Sequence, residues 1–262
     1  MPRAAKEHLF GWHAVQSALE RSAGRVRRIW IDEARSGERP QALIRAADAA
    51  GVPAVRVARV TLDQLAGTDR HQGVVAECDP AEPRDEHDLE RYLQGLVAVP
   101  LVLVLDGVQD PHNLGACLRS ADAAGAQAVL LPRDNAVGIT PTVRKVASGA
   151  ADTVPVFQVT NLARALDGLK QAGLWIAGAA GDGEQLLYDA DLRGPLALVL
   201  GAEGKGLRRL TRARCDFLVR IPMAGGITSL NVSAAAAVFL FETVRQRRVA
   251  VPAARTNMAP GN

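Results

Sequence analysis

The chain has 262 residues, 48% hydrophobic and 23% charged, with a formal net charge of +3; such a composition excludes a disordered or collagen-like chain and suits a soluble globular protein long enough for two domains. No run approaches the roughly 18 apolar residues of a membrane span, and the opening MPRAAKEHLFGWH lacks the apolar core of a signal peptide, so the cytoplasm is the expected compartment. Cys78, Cys117 and Cys215 are widely spaced with no C-x-x-C, which points away from a disulfide framework and from a zinc site.

Residues 1–79 alternate short elements. Helices are predicted over Gly11–Arg21 and Pro40–Ala50, strands over Val26–Ile31, Pro53–Val57 and Gly73–Cys78, and a short helix over Thr61–Leu65 capped by Thr61. This is a small α/β domain of net charge +2. Residues 80–99 shift in composition: PAEPRDEHD carries two prolines and a cluster of acids, the segment has a net charge of −3, and it reads as a linker leading into a helix near Leu89–Leu96. Its acidity argues against contact with phosphate.

From residue 100 to 248 the pattern becomes strand, loop, helix. Strands are predicted at 101–105, 128–131, 153–158, 174–178, 196–200 and 217–222, and helices at 113–124, 162–172 and 230–247. Runs such as LVLVL and LALVL, apolar at every position, indicate a parallel sheet covered on both faces. From residue 100 to the end the chain carries +4, and 27 of the 31 cationic residues of the whole chain are arginine, a side chain suited to bidentate phosphate contacts. GC-rich coding explains the arginine bias equally well, and so small a net charge does not establish nucleic-acid binding. Residues 249–262 form a Pro/Ala/Asn-rich tail expected to be disordered.

Two glycine-studded loops stand out at predicted strand ends. The first, Gly201-Ala-Glu-Gly-Lys-Gly206, follows LALVL; the second, Met223-Ala-Gly-Gly, precedes Ser229, Asn231 and Ser233 at the start of an Ala-rich helix. Open α/β sheets bind ligands at such places. Neither G-x-G-x-x-G after a strand nor G-x-x-x-x-G-K-[ST] occurs, which disfavours an ordinary dinucleotide or ATP site.

These loops, together with LVLVLDGVQDPHNLGACLRSADAAGA at 101–126 and His71-Gln72-Gly73, resemble the signature motifs of the SPOUT class of RNA methyltransferases, in the TrmH/SpoU-like branch that methylates ribose 2′-hydroxyls. The resemblance implies a trefoil-knotted carboxyl-terminal domain, which connectivity rules alone would not suggest, behind a small RNA-binding domain. It implies S-adenosyl-L-methionine as cofactor, no metal, a homodimer packed through the final helices, and a guanosine of bacterial 23S ribosomal RNA as substrate. The same chemistry on transfer RNA or another ribosomal position, and a non-catalytic RNA-binding protein of this fold, are the alternatives.

By the same resemblance Gly201, Glu203, Gly204, Ile221, Met223 and Leu230 hold the cofactor, with Ala224 lining the pocket. Arg119, Asn113, Glu203, Ser229 and Asn231 form the catalytic set, in which Arg119 binds the target's phosphate and stabilises the developing alkoxide. Asn113 and Arg119 are six apart, about 240° around a helix, and do not share a face. Asn113, Ser229 and Asn231 are equally suited to capping helices, and His71 and Gln72 to contacting RNA or forming a turn. His112 neighbours the site, whereas Cys117 belongs to an apolar stripe and is expected to be core. Spare apolar surface for a dimer is expected on Val238, Phe239, Phe241 and Val244.

Overall fold

The computed structural model describes residues 6–79 and 84–250. The front domain comprises β1 (Glu7–Phe10), α1 (Trp12–Ser22), β2 (Val26–Asp32), α2 (Glu38–Ala49), β3 (Ala54–Val57), α3 (Arg59–Ala66) and β4 (Val74–Cys78). Its sheet is ordered β1-β4-β2-β3, with β4 antiparallel to both neighbours and β2 parallel to β3. Val15, Leu19, Ile29, Ile31, Leu43 and Val74 fill its core. The strand β1 was not expected from its sequence. Thr61 is not a cap: α3 begins two residues earlier, after the extended Ala58, and Thr61 N–H donates to the Ala58 carbonyl from inside the first turn.

The His71-Gln72-Gly73 turn is built from the inside. The His71 ring is fully buried; its Nδ1 accepts the Gly73 N–H at 3.0 Å, which leaves Nε2 to donate to Asp63 Oδ1 at 2.8 Å. Of the two roles open to His71, burial assigns the turn. Gln72 adopts φ 58° and Gly73 φ 86°, so the turn presents Gln72 outward while its carbonyl accepts from Trp12 Nε1.

The acidic segment contains α4 (Glu86–Gln94), started by a capping box between Asp85 and Asp88. Then follow β5 (Leu101–Asp106), α5 (Pro111–Ala123), β6 (Ala128–Pro132), α6 (Pro141–Ala147), α7 (Ala150–Thr153), β7 (Val156–Val159), α8 (Leu162–Gln171), β8 (Trp175–Ala179), β9 (Gln185–Leu186), β10 (Leu196–Gly201), α9 (Arg209–Arg212), β11 (Phe217–Arg220) and α10 (Val232–Ala250). The seven strands form one parallel sheet ordered β7-β6-β5-β10-β8-β11-β9. Its middle pair, β5 and β10, is buried on both faces between two apolar layers, as the uninterrupted LVLVL and LALVL required. α6, α7, α9 and β9 were not expected; Thr153, assigned in sequence to a strand, ends α7 instead. Of the expected tail, Val249 and Ala250 complete α10, and 251–262 lie outside the described residues.

Helix α10 is tied to the strands it covers. Near its carboxyl end the Arg247 guanidinium donates to the carbonyls of Val99, Pro100 and Gly194, at 3.0, 2.8 and 2.7 Å, clasping the segments that lead into β5 and β10. Phe239 is 2% exposed and belongs to the core, contrary to its expected place on a spare apolar face, because it lies on the side of α10 turned toward the sheet. Phe241 is 48% exposed and Val238 and Val244 are half-buried.

α5 and α6 cross closely at Gly115. A Cβ there would lie 2.6 Å from Val146 Cβ and 3.0 Å from the Val143 carbonyl oxygen. Gly115→Ala is therefore expected to cost about 1–3 kcal/mol of overpacking, read as a lower urea midpoint at unchanged slope; an unchanged midpoint would show that the crossing can relax. The front domain docks on this side: Arg144 of α6 binds Glu7 of β1 at 3.2 Å and Asp152 of α7 through a short ion pair, while burial pushes the Asp152 carboxyl up against the pull of Arg144.

Candidate functional site

β10 ends at Gly201, and the chain turns back on itself so tightly that Ala202 bridges Gly206. A Cβ on Gly201 would overlap the backbone of Gly206 and Leu207, and Gly204 and Gly206 hold φ of 76° and 65°. Only glycine fits the first position, and the others favour it. The turn is pinned from β5: Asp106, fully buried in its side chain, accepts the Arg208 N–H at 2.9 Å and pairs with the Arg208 guanidinium. Sequence reading missed Asp106, although it directly follows LVLVL and precedes a glycine.

Between this turn, the loop after β11 and the face of α10 lies a cavity of about 410 Å³. Gly201, Glu203, Gly204, Ile221, Met223 and Leu230, the whole expected cofactor set, line it, and so does Ser229. Ala224 is exposed and is not among the lining residues. A third wall was not foreseen: Ala179 at the end of β8 and Ala180, Gly181 and Asp182 after it, with Asp182 held by Arg212 through two hydrogen bonds of 2.9 and 3.0 Å. That bond keeps the Asp182 carboxyl below the usual range, and therefore anionic. The sequence GAAGDG at a strand end was the available signal. The second glycine pair is different in kind: added Cβ atoms at Gly225 and Gly226 meet nothing within 4 Å.

On the other side of the same turn a second cavity, of about 370 Å³, is lined by Asp106, Gly107, Asn113, Asn135, Glu203 and Lys205, among others. Three expected catalytic residues meet along its edge. Asn231 Nδ2 donates to Asn113 Oδ1 at 3.0 Å, and Asn113 Nδ2 approaches Glu203 Oε2 at 3.5 Å, the outer limit of a hydrogen bond. Both ends orient the amides. A carboxylate only accepts, so Asn113 turns its nitrogen to Glu203; Asn231 Oδ1 accepts the Ser233 N–H at 2.9 Å and its hydroxyl at 2.6 Å, which leaves its nitrogen for Asn113. Asn231 thus caps the helix and hydrogen-bonds Asn113 at once. Asn113 is not a cap: Asp110 caps α5 by accepting the His112 N–H, with Pro111 at the first helical position.

Ser229 lies ahead of the helix and contributes to the cavity wall rather than to capping. Arg119 stands apart. It is exposed, lines neither cavity, and makes no hydrogen bond or ion pair among the described residues. Its flank of α5 is the one bearing Gly115, packed on α6, and Asp122, which accepts the Thr153 hydroxyl of α7 at 2.6 Å. His112 is exposed, and Cys117 is core, its thiol pushed up to about 12 by burial. Among the described residues no cluster of three or more His, Cys, Asp or Glu could hold a metal ion.

Residues 100–241 match the SpoU rRNA Methylase family, and residues 8–84 match the RNA 2'-O ribose methyltransferase substrate binding family. A protein of Pseudomonas putida named 23S rRNA (guanosine-2'-O-)-methyltransferase RlmB is 54% identical over 93% of the chain and 98% of its own length. Its namesake in Ralstonia nicotianae is 56% identical over 94% and 97%. Among solved structures, the SpoU methyltransferase AviRb from Streptomyces viridochromogenes in complex with the cofactor AdoMet superposes with a TM-score of 0.75 at 27% identity, covering 94% of the chain and 92% of its own. With a parallel sheet whose strand ends carry the glycine cradle, and a match over more than half its length, the chain belongs to the SpoU rRNA methylase family.

Proposed function

We propose that this protein transfers a methyl group from S-adenosyl-L-methionine to the ribose 2′-hydroxyl of a guanosine in 23S ribosomal RNA. The observation that carries the reading is end-to-end similarity above 50% to proteins of that name, joined to a cavity whose wall admits no side chain at Gly201. The cavity fits the cofactor: about 410 Å³ falls within the range of small-molecule sites, and glycine backbone offers flat, polar contact to a purine and its ribose. When bound, the cofactor supplies a methyl group already activated by a positive sulfur.

What remains for the protein is holding, aligning and charge stabilisation. The 201–206 turn separates the cofactor cavity from the Asn113 cavity, and Glu203 and Lys205 border both. A ribose entering from the Asn113 side would therefore meet the donor across a wall one turn thick. The chain from Glu203 through Asn113 to Asn231 holds that wall against α5 and α10. Arg119 supplies the cation that faces the target's phosphate and the developing alkoxide. Lying outside both cavities, it acts from a second copy of the chain, docked through α10, where Phe241 is exposed. Residues 1–79 select the RNA, 80–99 link, and 100–248 catalyse in a trefoil-knotted domain, whose threading is consistent with α10 lining the cavity between the two loops. The reaction takes place in the cytoplasm, where ribosomal RNA is made; among the described residues no helix is long and apolar enough to cross a membrane.

The test is methyl transfer from labelled donor to transcribed 23S fragments and, in parallel, to transfer RNA, followed by nucleoside analysis. Label in 2′-O-methylguanosine from 23S RNA alone is expected. Label confined to transfer RNA would reassign the substrate, and cofactor binding with no transfer to either would remove the activity.

A further inference from the structure

The front and carboxyl-terminal domains meet along α1, α6 and α7, and the seam opens into a cleft of about 260 Å³ that the chemistry above does not use. Three pieces of chain wall it. The start of α1 brings His13, the turn before β4 brings Thr68, Arg70 and Gln72, and the α6–α7 junction brings Lys145 and Ser148. His13, Arg70, Gln72, Lys145 and Ser148 are all exposed. Arg144 also lines the cleft, but its charge is consumed by Glu7 and Asp152. Arg70 and Lys145 have no acidic partner among the described residues. The one acid on the cleft wall, Asp152, is the one that Arg144 already neutralises. Two like charges share one concavity with no free acid beside them among the described residues, an arrangement that attracts an anionic ligand.

The backbone around the cleft is held in an uncommon form. Of three non-glycine residues with positive φ among the described residues, two, Gln72 at 58° and Ser148 at 54°, sit on this wall. Such positions persist only where surrounding structure enforces them, and they gather at ligand sites. The enforcement is visible: buried His71 holds the Gln72 turn from below, and Ser148 ends α6 so that α7 can follow Gly149, where an added Cβ would come within 3.8 Å of the Ala14 nitrogen of α1. The His71-Gln72-Gly73 motif thus has a use. Its ring is structural, and the turn it props aims Arg70 at the other domain.

The cleft also has a place relative to the reaction. α6, which carries Lys145, packs on Gly115, one helical turn from Arg119 on the same flank of α5. We propose that this cleft is a phosphate subsite for the RNA strand adjoining the target nucleotide, with Arg70 and Lys145 as its cations and His13 and Ser148 as hydrogen-bond donors. It rests on the reading of the protein as an RNA methyltransferase and adds where the strand goes. A phosphate held between residues of two domains fixes their relation to the RNA in a way that neither domain achieves alone.

Binding of a fluorescent 23S fragment to the full chain, measured by anisotropy over a salt series, tests the subsite without requiring turnover. The Arg70→Glu/Lys145→Glu double variant is expected to bind about tenfold more weakly, with the slope of log K against log salt smaller by about 0.7–0.9 for each phosphate no longer neutralised. Calorimetric binding of S-adenosylmethionine should be unchanged, which reports folding; should the double variant fail to fold, Arg70→Gln and Lys145→Gln read the same slope singly. Arg45→Glu, on the exposed side of α2, should weaken binding far less. RNA affinity and slope like those of the wild type in the cleft variants, or an equal loss in Arg45→Glu, would overturn the subsite. A wild type that binds the fragment through these residues yet transfers no methyl would refute the activity and leave the subsite standing.

Discussion

Replacing Arg119 with alanine is expected to lower kcat for methyl transfer by about 10²–10³-fold, the typical cost of removing one group aimed at developing charge. Affinity for S-adenosylmethionine should stay within a few-fold, because Arg119 lines neither cavity and nothing in the 201–206 turn leans on it. A guanidinium is a poor proton acceptor, so the loss should be one of charge, and Arg119→Lys should recover part of the rate. Mixing supplies the sharper form of the experiment. If Arg119 serves the cofactor cavity of a second copy, then Arg119→Ala combined with a variant unable to bind cofactor should form mixed dimers with one intact site, and activity should return. Wild-type turnover by Arg119→Ala would remove its catalytic role; absence of recovery on mixing, with dimers seen by light scattering, would place its action within one chain.

Gly201→Ala should abolish cofactor binding. The added methyl group would overlap the Gly206 carbonyl group, which is backbone and has no rotamer to escape into. Relief requires opening the turn, yet Arg208 just beyond it is tied to buried Asp106, so the strain has no soft outlet. An increase in cofactor Kd of at least about 100-fold is expected, comparable to about 3 kcal/mol of overpacking. Gly225→Ala makes the matched comparison, since a methyl group there meets nothing within 4 Å and φ is not in the left-handed range; its Kd should change only a few-fold. Equal effects at the two positions would mean that mobility of both loops, rather than close backbone approach at one, governs the site.

The contrast between those loops shows what the sequence could convey. Both read as glycine-rich turns at strand ends, and nothing in AEGKG or AGGIT distinguishes a backbone crossing from open space. The central strands were legible because burial on both faces demands an unbroken apolar run. The edge strand β1 was not: EHLF is four residues long, two of them polar, and it is held by pairing with β4 rather than by its own pattern. α6 and α7 escaped because PTVRKVA and AADT are too short to show a helical period, and their stability comes from packing on α5 and α1. Motif resemblance singled out Asn113, Glu203 and Asn231, while their mutual hydrogen bonds, spanning 90 and 118 positions, are a property of the fold alone. Asp106 and Asp182 were passed over because their roles depend on partners, Arg208 and Arg212, that lie 102 and 30 residues away.

The pairing of β5 with β10 sets a clock on biosynthesis. β5 emerges early and finds β6 soon after, but its other edge waits for residues 196–201, and the Arg247 clasp over both strands comes later still. At roughly 5–20 residues per second, an apolar edge reading LVLVL stands open for on the order of 5–20 s on each nascent chain. Refolding from denaturant should accordingly be slow and concentration-limited, and chains released before Arg247 are the ones most prone to clump.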